Sequence, residues 1–218
     1  MYVILLGPPG VGKGTQGALL ADAMGWQRVV MGDLLRAERD AGTALGQQAQ
    51  GYMTAGELVP DHLIIEMVKE KLTTLPPGTG VLFDGFPRTE AQALAFSIML
   101  QALGLAIDQV VVLEAGDDVL TQRIAGRRSC PSCGSVYNTL LDPPQREGVC
   151  NNDGTLLVHR SDDTIGTVQN RLNVYRRETE PLISYYEGSN ATVHHVQSDQ
   201  GVEEVQGDVR KALGLMLP

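Results

Sequence analysis

The chain is poor in aromatic side chains, with three Phe, six Tyr and one Trp among 218 residues. Its core must therefore rest on Leu, Val, Ile, Ala and Met. Lysine is scarce as well: only Lys13, Lys69, Lys71 and Lys211 occur, so the basic set is mostly arginine. The formal net charge is -9, and an acidic surface argues against non-specific binding to nucleic acid. No apolar run approaches the roughly 20 residues of a membrane span. Residues 1–6 have no basic stretch and run straight into a glycine-rich loop, so no signal peptide is expected and a cytoplasmic location is. Neither an internal repeat nor a low-complexity tract is visible. No Ser, Cys or His stands in a constellation suited to nucleophilic catalysis. The length suits one α/β domain with insertions.

What is present begins with Gly7-Pro8-Pro9-Gly10-Val11-Gly12-Lys13-Gly14-Thr15. It lies between an apolar run, Tyr2 to Leu6, and a helical stretch from Gln16 to Met24. Strand, glycine-rich loop and helix bring backbone N–H groups together on phosphate oxygens. Lys13 can reach the outer phosphates of a nucleoside triphosphate as a point charge. The residue after the lysine is Gly14, and the hydroxyl comes one place later, at Thr15. One helical residue is a rotation of about 100°, so Thr15 is expected on phosphate rather than on magnesium. The metal is then left to water and a carboxylate elsewhere.

Strands are predicted at Tyr2–Leu6, Gln27–Met31, Gly80–Asp84, Gln109–Glu114 and Thr192–Val196. Helices are predicted over Asp33–Asp40, Leu45–Thr54, Asp61–Leu75, Glu90–Leu103, Asp117–Ala125, Thr164–Tyr186 and Val202–Leu213. The alternation argues for a five-stranded parallel sheet flanked by helices. Two stretches break it: residues 32–60, with two short helices, and residues 127–163, where periodicity is lost. Long insertions in compact α/β domains are often lids or binding loops, so two substrate-closing subdomains are expected.

A second motif is Asp84-Gly85-Phe86-Pro87-Arg88, at the C-terminal end of a predicted strand, where open α/β sheets bind ligands. Asp84 is a candidate for the water-mediated magnesium contact. Arg88 is placed to hold a phosphate, and Gly85 permits close approach of a flat base. Gln92 offers an amide that can read an adenine edge bidentately. Cys130 and Cys133 form one x₂ pair, and Cys150 and Asp153 a second, with sixteen residues between the pairs. That spacing suits a closed, structural, tetrahedral zinc site. Asp142 is an alternative fourth ligand without the paired spacing.

Together these residues resemble the adenylate kinase family, in its long form with a metal-binding lid. The likeness covers essentially the whole chain. It rests on Gly7–Gln16, Gly32-Asp33-Leu34-Leu35-Arg36, Asp84–Arg88 with Gln92, Gly126-Arg127-Arg128, the cysteine segment, and Arg160-Ser161-Asp162-Asp163 with Arg171. The resemblance implies MgATP + AMP ⇌ 2 ADP on a P-loop NTPase core of residues 1–29, 60–126 and 164–218, with an AMP-binding subdomain at 30–59 and a lid at 127–163. It implies ATP contacts from Gly10, Gly12, Lys13, Gly14, Thr15, Arg123, Arg127, Val136 and Tyr137. It implies AMP contacts from Met31, Arg36, Met53, Glu57, Leu58, Val59, Gly85, Arg88, Gln92, Arg160 and Arg171. Lys13, Arg88, Arg127, Arg160 and Arg171 would surround the transferring phosphoryl group. Asp162 and Asp163 would orient the arginines as the lid closes. The cofactors implied are Mg²⁺ with ATP and a structural Zn²⁺, and a monomer is expected.

One position departs from the family pattern: Met31 stands where a threonine usually precedes Gly32-Asp33. A thioether cannot donate a hydrogen bond but can pack on a base or ribose. A monophosphate kinase of other base preference is therefore the nearest alternative. A zinc-ribbon nucleotide-binding protein is a second one. It would want a basic, aromatic ribbon, whereas Tyr137 is the only aromatic residue in 127–163.

Overall fold

The computed structural model describes residues 1–139, 141–160 and 163–215. Five parallel strands form the central sheet: β1 (Tyr2–Leu6), β2 (Gln27–Val30), β3 (Val81–Asp84), β4 (Gln109–Glu114) and β7 (Thr192–Gln197), in the order β2-β3-β1-β4-β7. Register is set by pairs such as Ile4 with Phe83 and Ile4 with Val110. Because strand side chains alternate, Ile4 and Leu6 face one layer while Val3 and Leu5 face the other. Both faces are apolar, as a parallel sheet covered on both sides requires.

One layer holds α2 (Met31–Asp40), α3 (Ala44–Ala55), α4 (Asp61–Thr73), α5 (Glu90–Ala102) and α8 (Leu182–Glu187). The other holds α1 (Lys13–Met24), α6 (Asp117–Ala125), α7 (Ile165–Val174) and α9 (Val202–Ala212). The few aromatic residues are concentrated. Phe96 stacks edge-on against both Phe83 and Phe86 with centroids 4.9 Å apart. All three phenylalanines of the chain thus sit fully buried beneath the loop that follows β3.

The sheet and most helices lie where the sequence put them, with ends shifted by at most three residues. Two expectations are corrected. The single helix expected over Thr164–Tyr186 is three pieces: α7, a π-helical turn at Tyr175–Thr179, and α8. Pro181 is the cause. It has no N–H to donate to the carbonyl four residues back and its ring crowds that carbonyl. The turn widens ahead of it, and Glu180 N–H reaches back five residues to the Tyr175 carbonyl at 2.9 Å. The 127–163 stretch, read as irregular, contains an antiparallel pair, β5 (Arg127–Ser129) with β6 (Val136–Asn138). Each strand is three residues long, too short to show a period. Among the described residues no helix is long and apolar enough to cross a membrane.

Candidate active site

The loop after β1 turns on Gly7, Gly10 and Gly12, whose φ angles of 142°, 84° and 109° disfavour other residues. It delivers Lys13 to the first turn of α1. The Lys13 ammonium is folded back on its own loop, donating to the carbonyls of Gly7 at 2.7 Å and Pro8 at 3.0 Å. Its enclosure by protein atoms lowers its pKa to about 8. Asp84 acts against that shift, and the positive charges of Arg88 and Arg127 add to it. One lysine thus feels the loop after β3 and the start of β5 together. A Cβ placed on Gly14 would lie 3.7 Å from Asp84 Oδ2. The position where a hydroxyl residue usually follows the lysine therefore faces this carboxylate, and the hydroxyl is Thr15 instead.

Arg88 is held at every polar point of its peptide and at its Nε. Its N–H donates to Gln92 Oε1 at 2.8 Å, its carbonyl accepts from Thr179 Oγ1 at 2.9 Å, and its Nε donates to the Gly85 carbonyl at 2.8 Å. Burial lowers its pKa, as do the charges of Arg171 and Arg36, while Asp84 opposes them. The Asp163 carboxylate is fully enclosed between two arginines. It accepts from Arg127 Nε at 2.8 Å, pairs with Arg127 Nη2, and lies 3.5 Å from Arg171 Nη1. Arg160 Nε donates to Ser129 Oγ at 2.8 Å, in the strand that carries Arg127. Asp162 lies outside the described residues. Arg123 donates to the Val11 carbonyl at 3.2 Å and to Ser198 Oγ at 3.3 Å, at the far side of the glycine-rich loop.

In the 30–59 segment, Arg36 pairs with Asp33 and its guanidinium stands close to Gly32. Met53 and Leu58 are half-buried and Val59 is buried. Glu57 is exposed and accepts from Asn170 Nδ2 at 2.9 Å, linking this segment to α7. Met31 is only 2 % exposed and packs in the apolar cluster with Leu35 and Val59. Its thioether is occupied by the core. Tyr137 is buried too: its hydroxyl contacts Cys150 Sγ at 3.4 Å and accepts from Asn151 N–H at 2.9 Å, while Val136 beside it is exposed.

The cysteine segment forms two matching turns. In the first, Cys130 N–H donates to the Ser135 carbonyl and Gly134 N–H to the Cys130 carbonyl. In the second, Cys150 N–H donates to the Thr155 carbonyl and Gly154 N–H to the Cys150 carbonyl. Each turn closes on a left-handed glycine, Gly134 at φ 75° and Gly154 at φ 72°. Asp153 holds in the second turn the place of Cys133 in the first. Ligand atoms of Cys130, Cys133, Cys150 and Asp153 all lie within 4.8 Å of one another, and Cys133 Sγ is 3.5 Å from Cys150 Sγ. A tetrahedral zinc with bonds of about 2.3 Å needs sulfurs about 3.7 Å apart, so the donor set fits such an ion. The Thr155 N–H donating to Asp153 holds its carboxyl well below the usual carboxylate range, keeping it an anion. Asp142, the alternative ligand, instead pairs its backbone with Asn138.

Three residues not singled out by the sequence stand among these groups. Arg28 donates to the Gly14 carbonyl at 3.2 Å and lies 3.9 Å from Asp84 Oδ2. Asp61 accepts from Gln92 Nε2 at 2.6 Å. Thr179 holds Arg88. An arginine in a strand that is otherwise half-buried was the one available signal for Arg28. Asp61 after Pro60 reads as an ordinary helix start, and Thr179 as a helix residue.

Residues 5–191 match the family model for adenylate kinase. The chain is 46 % identical over 205 residues to the adenylate kinase of Hydrogenobaculum sp. (strain Y04AAS1), covering 94 % of this chain and 96 % of that one. It is 44 % identical to that of Trichlorobacter lovleyi and 41 % to that of Geobacillus sp. (strain WCH70), covering 98 % of this chain and 99 % of the other in both cases. With a glycine-rich loop, a lysine and an arginine cluster at the strand ends, and matches of this extent, the chain belongs to the adenylate kinase family and is a phosphotransferase that moves a phosphoryl group reversibly from ATP to AMP, giving two ADP.

Proposed function

We propose that this chain carries out the transfer by charge neutralisation and positioning, with Lys13, Arg88, Arg127, Arg160 and Arg171 around the moving phosphoryl group. The observation that carries this is the gathering of Arg127 and Arg171 on one enclosed carboxylate, Asp163. Bringing the ATP triphosphate and the AMP phosphate together opposes several negative charges. Phosphoryl transfer needs positioning and charge stabilisation more than a covalent catalyst.

In this reading Lys13 leaves its loop carbonyls for the ATP phosphates. Backbone N–H groups of Gly10, Gly12, Gly14 and Thr15 surround the same phosphates. Arg123 flanks the ATP adenine with the backbone at Val136 and Tyr137. Arg36 and Arg88 hold the AMP phosphate. Gln92, Gly85, Val59, Leu58 and Met53 form its base pocket, with Glu57 at the rim. Met31 supports that pocket from the core rather than touching the base. Asp84, with water, would hold the Mg²⁺ that accompanies ATP, an ion that screens the phosphate charges when bound. Asp163, with Asp162, fixes the arginine fan.

Residues 30–59 and 127–163 act as the two closing parts on a core of 1–29, 60–126 and 164–218. Closure matters because water is a competing acceptor. Cys130, Cys133, Cys150 and Asp153 would hold a structural Zn²⁺ in the lid, with all four positions filled by protein. Each chain carries a whole set of these groups, which favours a monomer, and the net charge of -9 argues against non-specific binding to nucleic acid.

The test is Arg88→Ala, with Lys13→Ala beside it. Both are expected to lower kcat/KM by orders of magnitude while circular dichroism stays unchanged. Near-normal turnover in either removes that residue from the mechanism.

A further inference from the structure

Each polar end of the Gln92 amide is held by a group that can play only one role. Oε1 accepts from the Arg88 backbone N–H at 2.8 Å, and Nε2 donates to Asp61 Oδ1 at 2.6 Å. A backbone N–H only donates, and a carboxylate only accepts. The two partners therefore decide which end of the amide is oxygen, although its shape is nearly the same either way. Asp61 is itself anchored, since Thr89 Oγ1 donates to its Oδ2 at 3.1 Å. The same Thr89 oxygen accepts from the Gln92 N–H at 3.1 Å as the cap of α5. Asp61 opens α4, so the starts of two helices are tied around one amide.

A primary amide offers two N–H donors and two acceptor positions. With one of each committed to the protein, one N–H and one acceptor position remain. That pair complements a base edge with an amine donor beside a ring-nitrogen acceptor, as in a 6-aminopurine. A 6-ketopurine presents the reverse, a ring N–H beside a carbonyl oxygen, and would require the amide to turn over. Turned over, Gln92 would set its NH₂ against the Arg88 N–H and its oxygen against the Asp61 carboxylate. Both contacts would be repulsive, and in a buried place such mismatches reject a ligand strongly.

We propose that Asp61 is a specificity-determining positioning residue: by locking Gln92 in one amide orientation it makes the acceptor site select 6-amino over 6-keto purine monophosphates. This rests on the reading of Gln92 as the residue that meets the base. Asp61 acts through Gln92 and does not itself touch the acceptor.

The experiment compares AMP with inosine monophosphate as acceptors, under saturating MgATP, in the full chain and in Asp61→Asn. Asparagine is isosteric and can accept or donate, so the Asp61 half of the lock is lost and only the Arg88 N–H still opposes the turned-over amide. The AMP preference in kcat/KM is expected to fall on the order of tenfold to a hundredfold. The change should come from a higher KM for AMP and a gain with inosine monophosphate, while KM for MgATP stays put. Gln92→Ala is measured alongside. If it abolishes the preference and Asp61→Asn leaves it intact, the proposal is overturned and the base reading stands. If neither variant moves the ratio, the base reading itself falls. Should Asp61→Asn melt below the assay temperature, Thr89→Val frees the other Asp61 oxygen and keeps the charge, while also removing the α5 cap. It is expected to erode the preference several-fold, and an unchanged ratio there counts equally against the proposal.

Discussion

Thr179 donates its hydroxyl to the backbone carbonyl of Arg88 at 2.9 Å, joining the π-helical turn to the loop after β3 across 91 positions of sequence. The π geometry that Pro181 forces is what sets Thr179 in this place, and such turns occur often at functional sites. Thr179→Val leaves a half-buried carbonyl without its partner, a loss of about 1–3 kcal/mol. Arg88 should then sit less firmly, raising KM for AMP several-fold and lowering kcat while KM for MgATP is unchanged. Thr179→Ser should restore both, which a purely steric role of the methyl group would not allow. Steady-state kinetics on the two variants decide it.

Asp163 lies enclosed between Arg127 and Arg171. Removing one partner of a buried charge group is strongly destabilising, by about 3–5 kcal/mol in well-enclosed cases. Asp163→Asn keeps the shape and removes the charge, so the arginines repel without relief. Turnover should fall at least tenfold, with a smaller loss in a variant lacking both Asp163 and the Arg127 charge than the two single effects would sum to. Additive losses would show that the pair does not act as a unit.

Lys13 gives up its proton near pH 8 in the folded chain, against 10.5 for the ordinary side chain. The folded state thus binds fewer protons than the unfolded one between those values, and the group opposes folding most at low pH. The penalty begins to fade above about pH 8 and is gone near 10.5. Lys13→Met should therefore raise stability at pH 7, by about 1–3 kcal/mol after allowing for partial solvent contact, while abolishing turnover. The stability gain should shrink as pH rises through this window. Chemical denaturation at pH 7 and pH 10 measures it. In the intact chain, KM for MgATP should climb above about pH 8, because phosphate binding then needs proton uptake.

The paired turns at Cys130–Cys133 and Cys150–Asp153 enclose a donor set with all four positions supplied by protein. A closed site of this kind stabilises without reacting. Chelation or Cys150→Ser should lower Tm on the order of 10 °C, whereas low-temperature turnover should fall far less. Equal loss of both at low temperature would contradict a structural role. Asp153→Cys should keep or raise Tm, since it completes a four-thiolate set.

Most of the sheet and its flanking helices were legible because parallel strands buried on both faces read as apolar runs, as in Val3 to Leu6. The phosphate loop was legible because glycine spacing and one lysine are local facts. The clustering of Cys130, Cys133, Cys150 and Asp153 was legible from the paired spacing, and only the matching turns separate Asp153 from Asp142. What stayed hidden was non-local or masked by helix pattern. The π turn hangs on one proline inside an otherwise regular run. Met31 reads as a pocket residue by position, yet its side chain is spent in the core. Asp61 and Thr179 act through hydrogen bonds to residues 31 and 91 positions away, and nothing in their local sequence sets them apart.

The most direct measurement is phosphoryl transfer from MgATP to a panel of AMP, CMP, UMP and GMP with the full, metal-loaded chain. The arrangement of Gln92, Arg88 and Lys13 predicts a strong preference for AMP, with ADP as the sole nucleotide product. A comparable or better rate with a pyrimidine or guanine acceptor would contradict that base assignment.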